Sequence, residues 1–370
     1  MKTLPIKSND AIRALMPVDR PLHGGNLVWA AELANCSPHA ILDFSASINP
    51  LGPPASAIAA IQTTLGGLTA YPDPNYTHLR DAISEYHGIS PDYILPGNGA
   101  AELLTWACRD LAALDTVVLP TPAFSDYTRA LRAFDAAIAT VCLADFQTAN
   151  LARLQPQSSS TAGLLLNNPH NPTGQLFARN AILPLLEQFA LVVVDEAFMD
   201  FLMPEAQQSV LNWVEQYPHL VVVRSLTKFY SLPGLRLGYA IAHPERLKRW
   251  QQWRDPWSVN TLAAAVGQVV LQDHEFQQQT WNWLQETRPA LFQALAALPN
   301  LHPLPGAANF LLVQTSASVP PLQTELLQRH QILIRDCLSF AELGDRYFRI
   351  AIRTAAENQR LLQGLADLQS

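Results

Sequence analysis

The sequence predicts an α/β protein with a large domain on a mostly parallel sheet covered by helices, plus a smaller α+β domain. Three observations carry that prediction. From about Ile94 to Arg224 the chain repeats one pattern: a short apolar run, a polar turn, then an amphipathic stretch. The apolar runs are continuous rather than alternating, as strands buried on both faces require. After about Trp250 the pattern changes to long helical stretches and then to separated strand candidates. Hydrophobic residues make up 49% of the 370 residues and charged ones 15%, the reverse of a disordered composition.

The elements follow in order. Residues 1–22 read as an extension with little pattern. ILPGNGAAELLTWACRDL runs from an extended start through Gly97-Asn98-Gly99 into an amphipathic helix, and TVVLPTPAFSDYTRAL repeats the step with a Pro-rich turn. A short SSSTA link precedes TAGLLLNNPHNPTG, a strand ending in a polar, Pro-broken turn. NAILPLLEQF then predicts a helix that Pro184 should disturb. ALVVVDEAF and LVVVRSLTK are two more buried strands, each ending abruptly in charged or hydroxyl residues. Beyond Trp250 come helices, then the strand candidates NFLLVQT, ILIRD and YFRIAIR. The expected division is a large domain over 45–255, with 1–44 and 256–370 forming the smaller one.

Composition excludes several classes. Lys plus Arg number 24 against 31 Asp plus Glu, a net charge of −7, which argues against a nucleic-acid binder. No apolar run approaches the ~18 residues of a membrane span, and MKTLPIKSND lacks a secretory apolar core. Cys36, Cys108, Cys142 and Cys337 are scattered with no C-x-x-C pair, and no His pair has helical metal spacing. The expectation is a cytoplasmic protein without a metal.

In parallel sheets, ligands bind outside the carboxyl ends of the strands, where every run above carries its polar residues. Gly99, Phe124, Asn171, Asp195 and Ser225 to Lys228 should therefore meet at one rim. Lys228, after a buried strand, suits a nucleophilic amine that forms a Schiff base with an aldehyde; a surface lysine is the plain alternative. Asp195 leaves an apolar strand and needs a cation or several donors. A protonated pyridine nitrogen would serve, as would an ordinary helix cap. Asn98-Gly99-Ala100-Ala101 opens a helix whose free N–H groups favour a phosphate, with Ser225, Thr227 and Arg236 available to complete the cradle. A simple strand–helix turn explains it equally. Phe124 could stack on a flat ring or fill the core.

In this order, the phosphate cradle, aromatic, Asn, buried Asp and Lys make a pyridoxal-phosphate site. The motifs NNPHNPTG, DEAF and SLTKFYSLPGLRLGY resemble fold-type I pyridoxal-phosphate enzymes of the class I/II aminotransferase group over nearly the whole chain. That resemblance implies that Lys228 carries pyridoxal 5'-phosphate, Asp195 partners the pyridine nitrogen, and Asn171 donates to the phenolate oxygen. It further implies that Gly99 and Ala100 bind the phosphate with Ser225, Thr227 and Arg236. It implies a homodimer in which Tyr71 reaches the neighbouring subunit's phosphate. Phe198 stands where many members have a tyrosine.

The runs His23-Gly24-Gly25-Asn26, DFSASINPLG and PWSVN resemble the branch that decarboxylates L-threonine O-3-phosphate in cobalamin synthesis. Histidinol-phosphate aminotransferases share the central motifs but usually lack the HGGN opening. Ser47 stands where that branch commonly has Asn. The resemblance makes Arg335 and Arg349 the grips for a small phosphorylated amino acid, Arg349 for its carboxylate, with His23, Gly24, Ser47 and Asn171 also touching it. Arg353 reads as a surface residue. Regulators with this fold carry an added DNA-binding module, for which residues 1–22 are too short.

Overall fold

The computed structural model describes residues 20–144 and 161–368. Residues 1–19 of the expected extension and Ser158 to Ser160 of the SSSTA link lie outside them. In chain order the elements are α1 (Leu27–Ala34), β1 (Leu42–Asp43), α2 (Ala55–Thr64), α3 (Thr77–His87), β2 (Ile94–Asn98) and α4 (Gly99–Ala112). Next come β3 (Thr116–Thr121), α5 (Ser125–Arg132), β4 (Ile138–Cys142), β5 (Ala162–Asn167), α6 (Arg179–Gln188) and β6 (Leu191–Asp195). Then follow β7 (Leu220–Ser225), α7 (Leu226–Phe229), β8 (Leu237–Ala242), α8 (Pro244–Trp253), α9 (Thr261–Val270) and α10 (His274–Ala296). The chain closes with β9 (Leu301–Pro303), β10 (Phe310–Thr315), α11 (Val319–His330), β11 (Ile332–Leu333), β12 (Arg335–Asp336), β13 (Tyr347–Ala351) and α12 (Ala355–Asp367).

Seven strands form the main sheet in the order β2-β8-β7-β6-β5-β3-β4. Its central strands are buried along their length because both faces are covered. Val192, Val194 and Val222 pack into one apolar cluster, while Val193, Val221 and Val223 face the other. That alternation is the two-residue period of a strand. Each fully buried Val, Leu or Ile contributes about 1.5–3 kcal/mol relative to exposure, so these runs hold the chain ends that follow them.

Three details depart from the sequence reading. Strand β8 runs antiparallel to both β7 and β2, in a segment where the sequence reading had named no strand. Its first residues therefore lie at the edge where the other strands end, with Gly238 opposite Ser225 and Leu237 opposite Asn98. Helix α6 runs through Pro184 without a break, because burial of Ile182, Leu185 and Leu186 outweighs the one backbone bond proline forfeits. ILIRD is two strands: β11 pairs in parallel with β1, and β12 pairs antiparallel with β13.

The smaller four-stranded sheet has the order β12-β13-β10-β9. Helix α9, which the expected division assigned to the smaller part, packs on α2, α3 and β8. Among the described residues no helix is long and apolar enough to cross a membrane.

Gly238 shows how tightly the reversed strand is fitted. A methyl group there would lie 2.6 Å from the Ala100 backbone nitrogen and 2.7 Å from the Arg224 carbonyl oxygen, and neither backbone atom can swing aside. Gly238→Ala should cost about 1–3 kcal/mol, measured by thermal or denaturant unfolding. Gly234→Ala, with open space around it, should leave stability unchanged; equal melting of the two variants would contradict the packing argument.

Candidate active site

The ends of β5 and β6 are tied together first. Asn167 Nδ2 donates to the Asp195 carbonyl at 2.7 Å, and Asn168 N donates to the same oxygen at 2.9 Å. Asn167 Oδ1 accepts from Asn171 N at 2.7 Å. The clamp turns the chain so that Asn171 comes back over the rim. The sequence reading passed over Asn167; the doubled Asn ending a buried strand was the available signal.

Asp195 is 5% exposed. Its Oδ2 accepts from the Tyr127 hydroxyl at 2.5 Å and its Oδ1 from Ala197 N at 2.9 Å. Burial pushes its pKa up, against the Tyr127 hydrogen bond, the Lys228 charge and the Ala197 N–H. Asp195 thus bonds local backbone through one oxygen and feels the charge of the half-buried Lys228 amine. Tyr127 was not anticipated. It sits one helical turn behind Phe124 in α5, buried among α4 and sheet residues.

Lys228 lies on the short helix α7, capped by Ser225. Burial lowers its pKa; Asp195 opposes that, while Arg236 and Arg349 reinforce it. Its Nζ stands 5.0 Å from the centre of the Phe198 ring. An amine held in this way reaches its neutral, nucleophilic form more easily than a surface lysine.

The residues expected to hold a phosphate also lie together. Gly99 opens α4 with φ +75°, and a Cβ there would lie 2.5 Å from Arg236 Nη2. Ser225 Oγ and Thr227 Oγ1 are 2.8 Å apart. Arg236 reaches this edge because β8 starts there, with its Nη1 bonded to the Pro233 carbonyl at 3.1 Å. The helix-start N–H groups of Gly99 and Ala100, two hydroxyls and a guanidinium form a donor set suited to a phosphate. Phe124, at the start of α5, meets Tyr127 edge-on at 5.5 Å and His23 at 5.6 Å.

From the smaller sheet come two arginines. Arg335 and Arg349 are direct cross-strand partners on β12 and β13, so their side chains share one face. Arg349 Nη1 donates to Asn171 Oδ1 and Nη2 to the Ser45 carbonyl at 3.3 Å. Its Nε is buried without a hydrogen-bond partner. Burial, then the like charge of Arg335, lowers its pKa to about 10. Arg335 donates to Ser339 Oγ at 2.6 Å, to the Pro21 carbonyl at 3.3 Å and to the Leu22 carbonyl.

The N-terminal segment crosses the same cleft. Arg20 anchors it 3.5 Å from Asp336. Gly25 N donates to Ser45 Oγ at 2.7 Å, and a Cβ on Gly24 would overlap the Ser45 carbonyl. Desolvation and the Arg335 charge lower the His23 pKa. Ser47 is buried, and its Oγ has no hydrogen-bond partner. Arg353 instead bonds the Asp43 carbonyl and Glu357, a structural role. Tyr71 stands outside this cluster, 77% exposed and stacked on Trp257 at 4.3 Å.

Residues 39–365 match the family model of aminotransferase class I and II. The chain is 40% identical to threonine-phosphate decarboxylase of Salmonella typhimurium, over 94% of this chain and 96% of the relative. It is 33% identical to histidinol-phosphate aminotransferase 1 of Nitrosococcus oceani, over 86% of this chain and 86% of the relative. In three dimensions it is similar to the histidinol-phosphate aminotransferase from Clostridium acetobutylicum, with TM-score 0.81 and 26% identity, covering 89% of this chain and 99% of that one.

The Tyr127–Asp195 bond has a consequence for stability. Asp195 already has a raised pKa in the folded chain, so its folded carboxylate is a cost above that pKa and none below the unfolded value. Tyr127→Phe removes a donor to the charged form and should destabilise by about 1.5–3 kcal/mol at pH 8. The deficit should shrink as pH falls and Asp195 protonates. Thermal melts of both proteins from pH 8 down to about pH 4, the unfolded Asp value, check this; a deficit independent of pH over that span would remove Asp195 from the account.

Proposed function

Because the chain belongs to the aminotransferase class I and II family, we propose that it is a pyridoxal-phosphate-dependent lyase acting on L-threonine O-3-phosphate. The product is (R)-1-amino-2-propanol O-2-phosphate, a precursor in cobalamin synthesis, made by a cytoplasmic homodimer. The observation that carries this reading is the pair of buried arginines, Arg335 and Arg349, facing one cleft in register. A substrate with a carboxylate and a phosphate matches two guanidinium groups. The 40% identity to a threonine-phosphate decarboxylase supports the same choice.

In this reading Gly99 and Ala100 N–H groups, Ser225, Thr227 and Arg236 hold the cofactor phosphate, helped by Tyr71 of a second copy. Phe124 packs on the ring face, and Asn171 Nδ2 donates to the phenolate oxygen. Asp195 keeps the ring nitrogen protonated, and Lys228 is the point of attachment. Pyridoxal phosphate supplies an aldehyde for the amine and a protonated ring that accepts the electron pair released at Cα.

The protein's contribution is orientation and proton handling. With the cofactor bound, Arg349, steadied by Asn171, would hold the substrate carboxylate that leaves as carbon dioxide, and Lys228, released by the incoming substrate amine, would be placed to return a proton to Cα. Arg335 takes the substrate phosphate in place of the Pro21 and Leu22 carbonyls. His23 and Gly24 close over it, with Ser47 beside them, and exclude water, which strengthens both ion pairs.

Purified holoenzyme given threonine phosphate should release carbon dioxide and aminopropanol phosphate. Turnover of histidinol phosphate with 2-oxoglutarate, and no carbon dioxide from threonine phosphate, would instead make the chain an aminotransferase; its likeness to histidinol-phosphate aminotransferases motivates that comparison.

The two arginines should differ in kind. Arg335→Ala and Arg349→Ala should each weaken kcat/KM for threonine phosphate by ~2–5 kcal/mol while cofactor binding survives. Loss of Arg335 should mainly raise KM and relax discrimination against unphosphorylated threonine. Loss of Arg349 should lower kcat and blur the choice of bond broken. Steady-state kinetics with product analysis decide the matter, and unaltered kinetics in both variants would return these residues to a structural role.

A further inference from the structure

On the face of the main sheet opposite the site lies a buried charged cluster with no part in the roles above. Glu196 follows Asp195 at the end of β6, and Arg224 precedes Ser225 at the end of β7. Strand alternation turns the members of each pair to opposite faces. Asp195 and Ser225 share the face of Val193, Val221 and Val223; Glu196 and Arg224 share that of Val192, Val194 and Val222.

Arg224 and Glu196 are each 0% exposed. Arg224 Nε lies 2.9 Å from Glu196 Oε2, and its Nη1 bonds Asp200 Oδ1. Glu196 also accepts from Ser209 Oγ at 2.6 Å and from Val210 N at 2.9 Å. The Asp200 carbonyl accepts from Trp281 Nε1 at 2.8 Å. Burial alone would pull the Arg224 charge down, but Asp200 and Glu196 more than offset it.

The cluster's placement is informative. The β6–β7 ladder ends at the Asp195–Val223 pair, with one further bond from Glu196 N to the Val223 carbonyl at 2.8 Å. Beyond it the chains part, β7 into α7 and β6 into the turn Met199–Phe201. A buried ion cluster is a poor route to stability, since apolar residues of equal volume often do as well. Here it ties two chains together where their backbone ladder stops.

We propose that Glu196, Arg224 and Asp200 form a positioning cluster that locks the ends of β6 and β7 and so sets the approach of Asp195 to Lys228. The proposal rests on the reading of those two residues as partners of the cofactor. Glu196, Arg224 and Asp200 touch neither cofactor nor substrate and act through their sequence neighbours.

Glu196→Gln and Asp200→Asn keep shape and remove one charge each, leaving the groups that face Lys228 (Asp195, Arg236 and Arg349) in place. The measurement is the pH titration of the absorbance band of Lys228-bound cofactor, without substrate, alongside melting of apo- and holoprotein. Glu196→Gln should move the titration midpoint by about half a pH unit or more. It should lower kcat about tenfold with KM changed less than about threefold, in a protein that still unfolds cooperatively. Should Glu196→Gln fail to fold, Asp200→Asn and Arg224→Lys carry the same titration. Folded variants with the wild-type midpoint and kcat, altered only in melting temperature, overturn the positioning role. Wild-type protein lacking the band would overturn the cofactor reading first, and this proposal with it.

Discussion

The structure is organised around a carboxylate kept inside the protein. Asp195 ends a fully buried strand, and an ionised side chain there needs partners in place before it can persist. Tyr127 and the Ala197 N–H supply two, and Lys228 adds an opposing charge. Each comes from a different part of the chain, so the strand order of the sheet and the seat of α5 against α4 both serve this one residue.

Around that carboxylate the balance of charge is lopsided. Lys228, Arg236, Arg349 and Arg335 converge on one cleft; burial first, and then the like charge of their neighbours, lowers the pKa values of Lys228 and Arg349. Such a site is short of anions. Arg349 leans on the Asn171 oxygen and a main-chain carbonyl, and Arg335 on two carbonyls of the N-terminal segment and a serine. These neutral acceptors are weaker partners than a carboxylate or phosphate, which leaves the arginines ready to exchange them for a doubly anionic ligand.

Much of this was legible in the residues. Continuous apolar runs with polar ends place Asp195, Asn171 and Lys228 at one edge, because burial on both faces and the direction of parallel strands leave no other place for those ends. Residues whose importance lies in a distant partner were not legible. Tyr127 reads as an ordinary core residue of an amphipathic helix, and only the packing of α5 on the sheet aims its hydroxyl at Asp195. Asn167, Glu196 and Arg224 carry no periodic signal either, since each acts across strands that are neighbours in space alone.

The sequence by itself determined the class of fold, the buried strands and the kind of chemistry at their ends, since local patterning depends on neighbours two to four residues away. Tertiary structure decided the reversed direction of β8, which delivers Arg236 to the cradle, and the split of ILIRD between two sheets. It also decided the facing register of Arg335 and Arg349 and the unbroken course of α6 through Pro184. In each case the deciding energy comes from contacts with segments far away in sequence, and no local preference encodes which of those segments will be adjacent.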